Sequence, residues 1–253
     1  MLLIGGGVSS TDIAREIGHC SKNIYQSTRN STHDLPTSLL PRNAVRIGEI
    51  TSFEIEEANS IRTTTEFEPG SLPLVVNWGC TQQLTGIHHI IVCTGYHITL
   101  PFLHRFHDDD TRPEDAGTTV LVTDGTQLHN LHKDIFYIPD PTLAFVGVAY
   151  YTATFTLFEF QAMVVATVFS GLAKMPSSDS MRMEYNERVL QKGYGRDFHS
   201  LKNIEETYVN NILAWVNAGR NGHGLSAIEG HTAIWLRAKE EQRARARILF
   251  GET

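Results

Sequence analysis

The chain opens on an apolar run over residues 1–4. The run ends in three glycines and leads into a segment, as far as Gly18, patterned as an amphipathic helix. The run is short enough for a strand and apolar enough to be buried on both faces. A second strand is predicted over 23–27, so residues 1–30 read as β-α-β. Residues 31–44 form a Ser/Thr/Pro loop, and 45–76 read as short antiparallel strands with polar turns. A strongly apolar strand over 87–93 enters Thr94-Gly95-Tyr96, and an acidic, polar stretch covers 104–118. Residues 120–123, 135–138 and 143–148 are further strand candidates, which together form a sheet-like platform. A long apolar helix is predicted over 153–170, with Gly171 as its C-terminal glycine. After a linker at 174–180, helices are expected near 180–192, 202–218 and 229–249. The fold class is α/β.

Composition narrows the classes. At 253 residues, 41% of them hydrophobic, the chain can bury a core. A net charge of −7 argues against nucleic-acid binding. The three cysteines, Cys20, Cys80 and Cys93, share no metal spacing and suggest a reducing, cytoplasmic setting. No secretory signal is visible at the start of the sequence. Residues 141–158 carry no charge, but Pro141, Gly147 and four threonines make them strand, turn and helix start, so no membrane span is expected.

Candidate chemistry begins in the first turn. Gly5, Gly7 and Ser10 stand at the spacing of G-x-G-x-x-G, with a strand before and a helix after. Gly5 allows the tight turn, and Gly7 lets a pyrophosphate approach the backbone. The helix N-terminus offers free N–H groups and partial positive charge to a phosphate. Ser9 or Ser10 is expected to cap the helix, with Asp12 in its first turn. Ser10, in place of the third glycine, is small enough for close helix–strand packing. A glycine-rich turn with no ligand is the competing reading, and the strand–turn–helix–strand context weighs against it. After the second strand the chain has no acid between Glu16 and Asp34; it has Ser27, Thr28 and Arg29. An Arg here accommodates a 2′-phosphate, which favours NADP over NAD.

Other features take plainer readings. His88-His89 and His129-x-x-His132 resemble ligand pairs, but no nearby Cys or carboxylate completes a metal set, so surface histidines are expected and no metal site is assigned. Asp108–110 read as a solvated acidic loop. Glu159 and Gln161 interrupt an apolar helix and are expected to pair with neighbours. Cys93 reads as a small apolar residue at a strand end. The basic run from Arg237 to Arg247 is balanced by Glu240 and Glu241 and reads as a solvated face.

Three segments together resemble the flavin-containing monooxygenase family of the type common in fungi. LLIGGGVSSTDIAREIG, with YQSTRN after it, is similar to that family's NADPH-binding turn and phosphate-reading strand end. IIVCTGY, residues 90–96, is similar to the strand that leads back toward its flavin domain, and LHKDIFYIPDPTLAFVGVAYYTATFTLFEFQA, residues 131–162, to the stretch that returns there and ends in a helix. They occur in the family's order and span most of residues 1–171. The resemblance implies a Rossmann-like NADP-binding domain over 1–100, a partial FAD-binding-domain platform over 101–175 and a helical C-terminal region over 176–253. It also implies NADPH reducing FAD, with oxygenation of a soft nitrogen or sulfur nucleophile, or a metabolite, through a peroxyflavin.

Family members carry a first dinucleotide turn for FAD, and only one such fingerprint stands in this sequence, so the chain is expected to be a truncated C-terminal part. No side chain is needed as acid, base or nucleophile, and no catalytic residue is nominated. Gly5, Gly7, Ser9 and Ser10 are expected at the NADP(H) pyrophosphate, Ser27 and Arg29 at the 2′-phosphate, and Thr94, Gly95 and Gly147 along the cofactor path, Gly147 toward flavin. The expected partners are a small-molecule substrate and either a further copy or a complementing flavin-domain chain. A non-catalytic NADP(H)-binding remnant or interaction module is the alternative.

Overall fold

The computed structural model describes residues 1–31, 33–55 and 68–250. The chain is mixed α/β and divides into two compact units, Met1–Tyr96 with Ala244–Thr253, and His97–Arg243.

In the first unit, β1 (Leu2–Ile4), β2 (Ile24–Ser27), β3 (Ala44–Ile47) and β7 (Ile90–Val92) form a parallel sheet in the order β3-β2-β1-β7. A second sheet is antiparallel, β4 (Ile50–Ile55), β5 (Leu74–Trp78) and β6 (Gln82–Leu84). β1 is interior to its sheet, and its side chains alternate between two apolar clusters. Leu2 packs with Ile47, Val76 and Ile87; Leu3 packs with Ile24 and with Ala14 of helix α1 (Val8–Ile17). Both leucines are fully buried, each contributing about 1.5–3 kcal/mol. The central strand is therefore covered by α1 on one face and by the antiparallel sheet on the other.

Three expectations are corrected here. β3 joins the parallel sheet, and the antiparallel sheet runs on to Leu84, past the expected limit at 76. The strand expected over 87–93 is shorter, because the Ile87 carbonyl accepts the Leu72 N–H at 2.7 Å outside the β1 ladder. α1 starts at Val8 with Gly7 as N-cap and no side-chain cap, so Ser9 and Ser10 lie inside the first turn and Asp12 lies beyond it.

The second unit holds a short hairpin, β8 (Leu131–His132) with β9 (Phe136–Tyr137), and helices α2 (Thr154–Phe169), α3 (Ser178–Lys192) and α4 (Glu205–Gly222). Helix α5 (Ala233–Phe250) follows. α2 ends at Ser170 before Gly171, whose φ of 77° ends the helix as expected. Ser177 caps α3 by accepting the Ser180 N–H at 3.2 Å. Leu157, Phe160 and Val164 of α2 share one core with Val209, Ile212, Leu213 and Val216 of α4 and with Ile135 and Phe136.

The expected platform is mostly irregular. Residues 120–123 and 143–148 are not strands and make only isolated bridges, His107 to Val122, Val122 to Leu128 and Phe136 to Ala144. Their apolar residues are still core: Leu121, Val122, Leu128, Leu131 and Tyr137 form a second cluster, with Leu143, Phe145 and Val148 against it. Turn bonds satisfy the backbone, for example Leu121 N–H to the Phe106 carbonyl at 2.8 Å and Phe145 N–H to that of Ile135 at 2.7 Å.

His129 and His132 are buried in this unit, which corrects their reading as surface histidines. Gln127 Nε2 donates to His129 Nδ1 at 3.3 Å, leaving the ring proton on Nε2, which donates to Thr123 Oγ1 at 2.9 Å. That arrangement suits a neutral ring. His132 stands edge-on to Trp215, with centroids 5.6 Å apart. Burial, reinforced by His199, pushes His129 down to about 4; burial also pushes His132 down to about 4, against the opposing pull of Glu184. Unfolded histidine titrates near 6.5. Between about pH 6.5 and 4 the unfolded chain therefore binds protons that the folded unit does not, and stability falls as pH falls through that window. Urea midpoints should drop between pH 7 and pH 5, and the double variant His129→Gln, His132→Gln should flatten that slope. Midpoints equal at the two pH values, or higher at pH 5, would refute this.

Candidate functional site

The carboxyl edge of the parallel sheet gathers most of the candidate residues. β1 ends at Ile4, and Gly5 turns the chain with φ 122°, its N–H donating to the Ser27 carbonyl at 2.8 Å. A side chain on Gly5 would overlap the Cys93 carbonyl, with that carbonyl carbon 2.8 Å away. Glycine is thus required for the exit of β7 to pass the turn. Cys93 N–H donates to the Ile4 carbonyl at 2.7 Å, so Thr94 and Gly95 leave the sheet beside the turn, both exposed. In open α/β sheets this edge is where ligands bind.

Gly6 and Gly7 differ in their surroundings. A Cβ on Gly6 would collide with the Asp34 carboxylate, and the Leu35 N–H donates to the Gly6 carbonyl at 2.8 Å. Gly7 has φ −83° and ψ −164°, which any residue adopts, and a Cβ there would meet nothing nearer than the His33 carbonyl at 3.8 Å. Packing leaves Gly7 unconstrained and open. The N–H groups of Val8, Ser9 and Ser10 begin α1 and lack intrahelical partners by position; Val8 and Ser9 are exposed.

Ser10 and Ser27 face inward. The Ser10 hydroxyl donates to the Gly7 carbonyl at 3.0 Å and accepts from Gln26 Nε2 at 2.8 Å. Gln26 Oε1 in turn accepts from Arg46 at 2.9 and 2.7 Å, and Arg46 also donates to the Leu35 carbonyl at 2.6 Å. Ser10 therefore locks helix to strand, and its side chain is not turned toward a phosphate. Ser27 is buried and its hydroxyl donates to the Gly48 carbonyl at 2.9 Å. Arg29 is exposed just past β2. Asp34 Oδ2 accepts from the Thr28 hydroxyl and from the Ser31 N–H at 2.9 Å, which returns an acid to the end of β2. Sequence order hid this acid, because the loop that carries it folds back.

Gly147 lies in the other unit, and its backbone is already engaged. Its N–H donates to Gln161 Oε1 at 2.9 Å, and a Cβ would meet the Phe158 ring at 3.1 Å. With φ 93°, this glycine is set for close packing against α2. Gln161 continues the chain, donating to Tyr208 Oη at 2.9 Å, which donates to the Lys133 carbonyl at 2.6 Å. This is the expected structural pairing.

The same unit contains buried charges that the sequence did not mark. Asp134 is fully buried between His199 at 2.7 Å and Arg188 at 2.8 Å. Burial alone would raise its pKa; His199 and Arg188 outweigh burial and hold it at about 2. Glu205 accepts the Thr152 hydroxyl at 2.5 Å and the Ala153 N–H at 2.8 Å, and Lys239 stands 3.2 Å away. It thereby caps the start of α2 from α4. A cavity of about 300 Å³ is lined by Lys133, Glu184, Arg188, Lys192 and Tyr208. Two of these charges are paired, Lys133 with Glu184 at 2.5 Å and Arg188 with Asp134 at 2.8 Å, and Lys192 donates to the Phe198 carbonyl at 3.3 Å.

Comparison with known proteins supplies the wider setting. Residues 75–225 match the family described as flavin-binding monooxygenase-like. A flavin-containing monooxygenase of Aspergillus flavus, ustF2, is 51% identical over 98% of this chain and 49% of its own length. A second from that organism, ustF1, is 41% identical over 100% of this chain and 46% of its own. The chain spans about half the length of the curated relatives it matches. The solved structure of S-allyl-L-cysteine S-oxygenase from Allium sativum has a similar fold, with TM-score 0.64 at 20% identity, over 100% of this chain and 49% of that one. Among the described residues no helix is long and apolar enough to cross a membrane.

The glycines of the turn should separate on substitution. Gly5→Ala should cost about 2 kcal/mol or more through strain and overlap with Cys93. Gly7→Ser, which keeps a capping residue at that position, should stay within about 0.5 kcal/mol of the parent. Thermal and urea unfolding of both variants measures this. A Gly5→Ala protein as stable as the parent, or a Gly7→Ser protein equally damaged, would contradict the roles assigned to them.

Proposed function

The chain belongs to the flavin-binding monooxygenase-like family, a family of flavin-dependent oxidoreductases, and on that premise we propose that the carboxyl edge of its parallel sheet binds NADP(H). The observation that carries this reading is Gly7: it is open, unconstrained by packing and set at the start of α1. The pyrophosphate sits over Gly7 and takes hydrogen bonds from the first-turn N–H groups of α1, with the exposed Ser9 at its edge. Gly5 contributes the turn itself. Ser10 contributes through the Gln26–Arg46 network that fixes helix to strand. Ser27 anchors the end of β2 on Gly48, and Arg29, exposed just beyond, meets the 2′-phosphate. Thr94 and Gly95 line the adjacent exit of β7.

The dinucleotide supplies a hydride when bound, and in the family a flavin uses it for oxygen transfer to a small molecule with a soft nitrogen or sulfur. The chain's own residues bind and orient the hydride donor, and no acid or base is needed from them for that role. Gly147, partly exposed, is the position proposed to lie toward flavin, with its N–H held by Gln161 and Phe158 beside it. A small-molecule substrate, and pairing with a further copy or a complementing flavin-domain chain, belong to the same proposal.

NADPH should bind this chain more tightly than NADH. Arg29→Ala should reduce that preference by roughly one to two orders of magnitude, since hydrogen bonds to charged groups contribute about 1.5–3 kcal/mol. Fluorescence titration with both coenzymes measures it, and equal affinity of the unaltered chain for the two would refute the assignment.

A further inference from the structure

We infer that Asp34 is a specificity-determining residue, placing a carboxylate oxygen against the adenosine ribose so that it favours a free ribose diol and opposes the preference set by Arg29. The inference rests on the NADP(H) reading above and extends it to how the site discriminates.

Three observations place the carboxylate. It lies directly over the middle glycine of the turn, where a Cβ on Gly6 would overlap it and would stand 3.1 Å from the Asp34 Cβ. Oδ2 is held by the Thr28 hydroxyl and by the Ser31 N–H at 2.9 Å. The loop behind it is pinned twice, by the Leu35 N–H on the Gly6 carbonyl at 2.8 Å and by Arg46 on the Leu35 carbonyl at 2.6 Å. Among the described residues no hydrogen bond reaches Oδ1. Asp34 is only partly buried, so that oxygen is an unused acceptor beside the turn.

The chemistry follows from position. In dinucleotide folds the acid near the end of the second strand accepts ribose hydroxyls, and a cation there meets a 2′-phosphate. Here Thr28 brings Asp34 back to that strand end, one residue from Arg29. A ribose hydroxyl can donate to Oδ1, whereas a 2′-phosphate offers only acceptors and negative charge to it. Arg29 and Asp34 thus read the same ribose with opposite preferences, and the site tolerates NADH better than Arg29 alone would allow.

The test is coenzyme affinity of the whole chain with Asp34→Asn, an isosteric change that retains an acceptor for Thr28. NADH affinity should fall roughly tenfold while NADPH affinity holds or tightens, because one charged hydrogen bond is lost to the diol and a repulsion is lifted from the phosphate. A merely structural Asp34 would weaken both coenzymes alike, and that result, or an unchanged ratio, would overturn the inference. Should the Asn variant melt below the assay temperature, Thr28→Val unhooks the same carboxylate and should shift the ratio in the same direction; no shift there would also overturn it. If the unaltered chain binds neither coenzyme, the NADP(H) reading falls and this inference with it. If NADPH preference and the Arg29 effect stand while Asp34→Asn leaves the ratio alone, only this inference falls.

Discussion

The first unit depends on the passage of two backbones at one point, Gly5 against the Cys93 carbonyl. β1 is hydrogen-bonded on both sides, to β2 and to β7, and both of its leucines are fully buried. Its exit must therefore turn sharply in a crowded place. A residue with φ 122° and no Cβ is the solution. Once that turn is made, the remaining parts of the site follow from it. α1 starts three residues later, at Val8, with its N-terminus at the sheet edge, and the end of β7 delivers Thr94 and Gly95 beside it. Gln26 ties Ser10 to Arg46, and Arg46 holds the loop that carries Asp34. Packing and hydrogen bonding fix Gly5, Gly6, Ser10 and Ser27, and leave Gly7 open.

Where the sequence was legible, the determinants were local. α2, α3 and α4 follow from apolar spacing and the terminal Gly171, and β1-α1-β2 follows from an apolar run, glycines and an amphipathic stretch. Where it was not, long-range partners decided. Residues 120–123 and 143–148 are as apolar as strands, yet their backbones bond to Phe106 and Ile135 in irregular turns. Gln26 looks like an ordinary polar residue in a strand until Arg46 stands next to it on β3. Asp34 falls outside any spacing rule because a loop of unpatterned polar residues brings it home. Gly147 likewise takes its setting from distant partners, Phe158 and Gln161 on α2.

The second unit concentrates its charge on holding that irregular segment. Lys133 and Asp134 both have positive φ, at 54° and 58°, a costly conformation for residues with side chains. Asp134 reaches forward to Arg188 and His199, and the Lys133 carbonyl accepts Tyr208. Removing one partner from such a buried pair typically costs about 3–5 kcal/mol, more than the backbone strain it restrains. The perturbed acidity of Asp134 thus follows from the architecture, its two oxygens being directed at His199 and Arg188.

The central claim is that the turn from Gly5 to Ser9 receives a dinucleotide pyrophosphate. Amide chemical shifts of the isotopically labelled chain, followed during titration with NADPH, test it most directly. The account predicts that the largest and saturable changes fall on the Gly7, Val8 and Ser9 amides, with smaller ones at Arg29 and Gly95. Saturable changes confined to the second unit, for example around Gly147, with the turn unmoved, would contradict it.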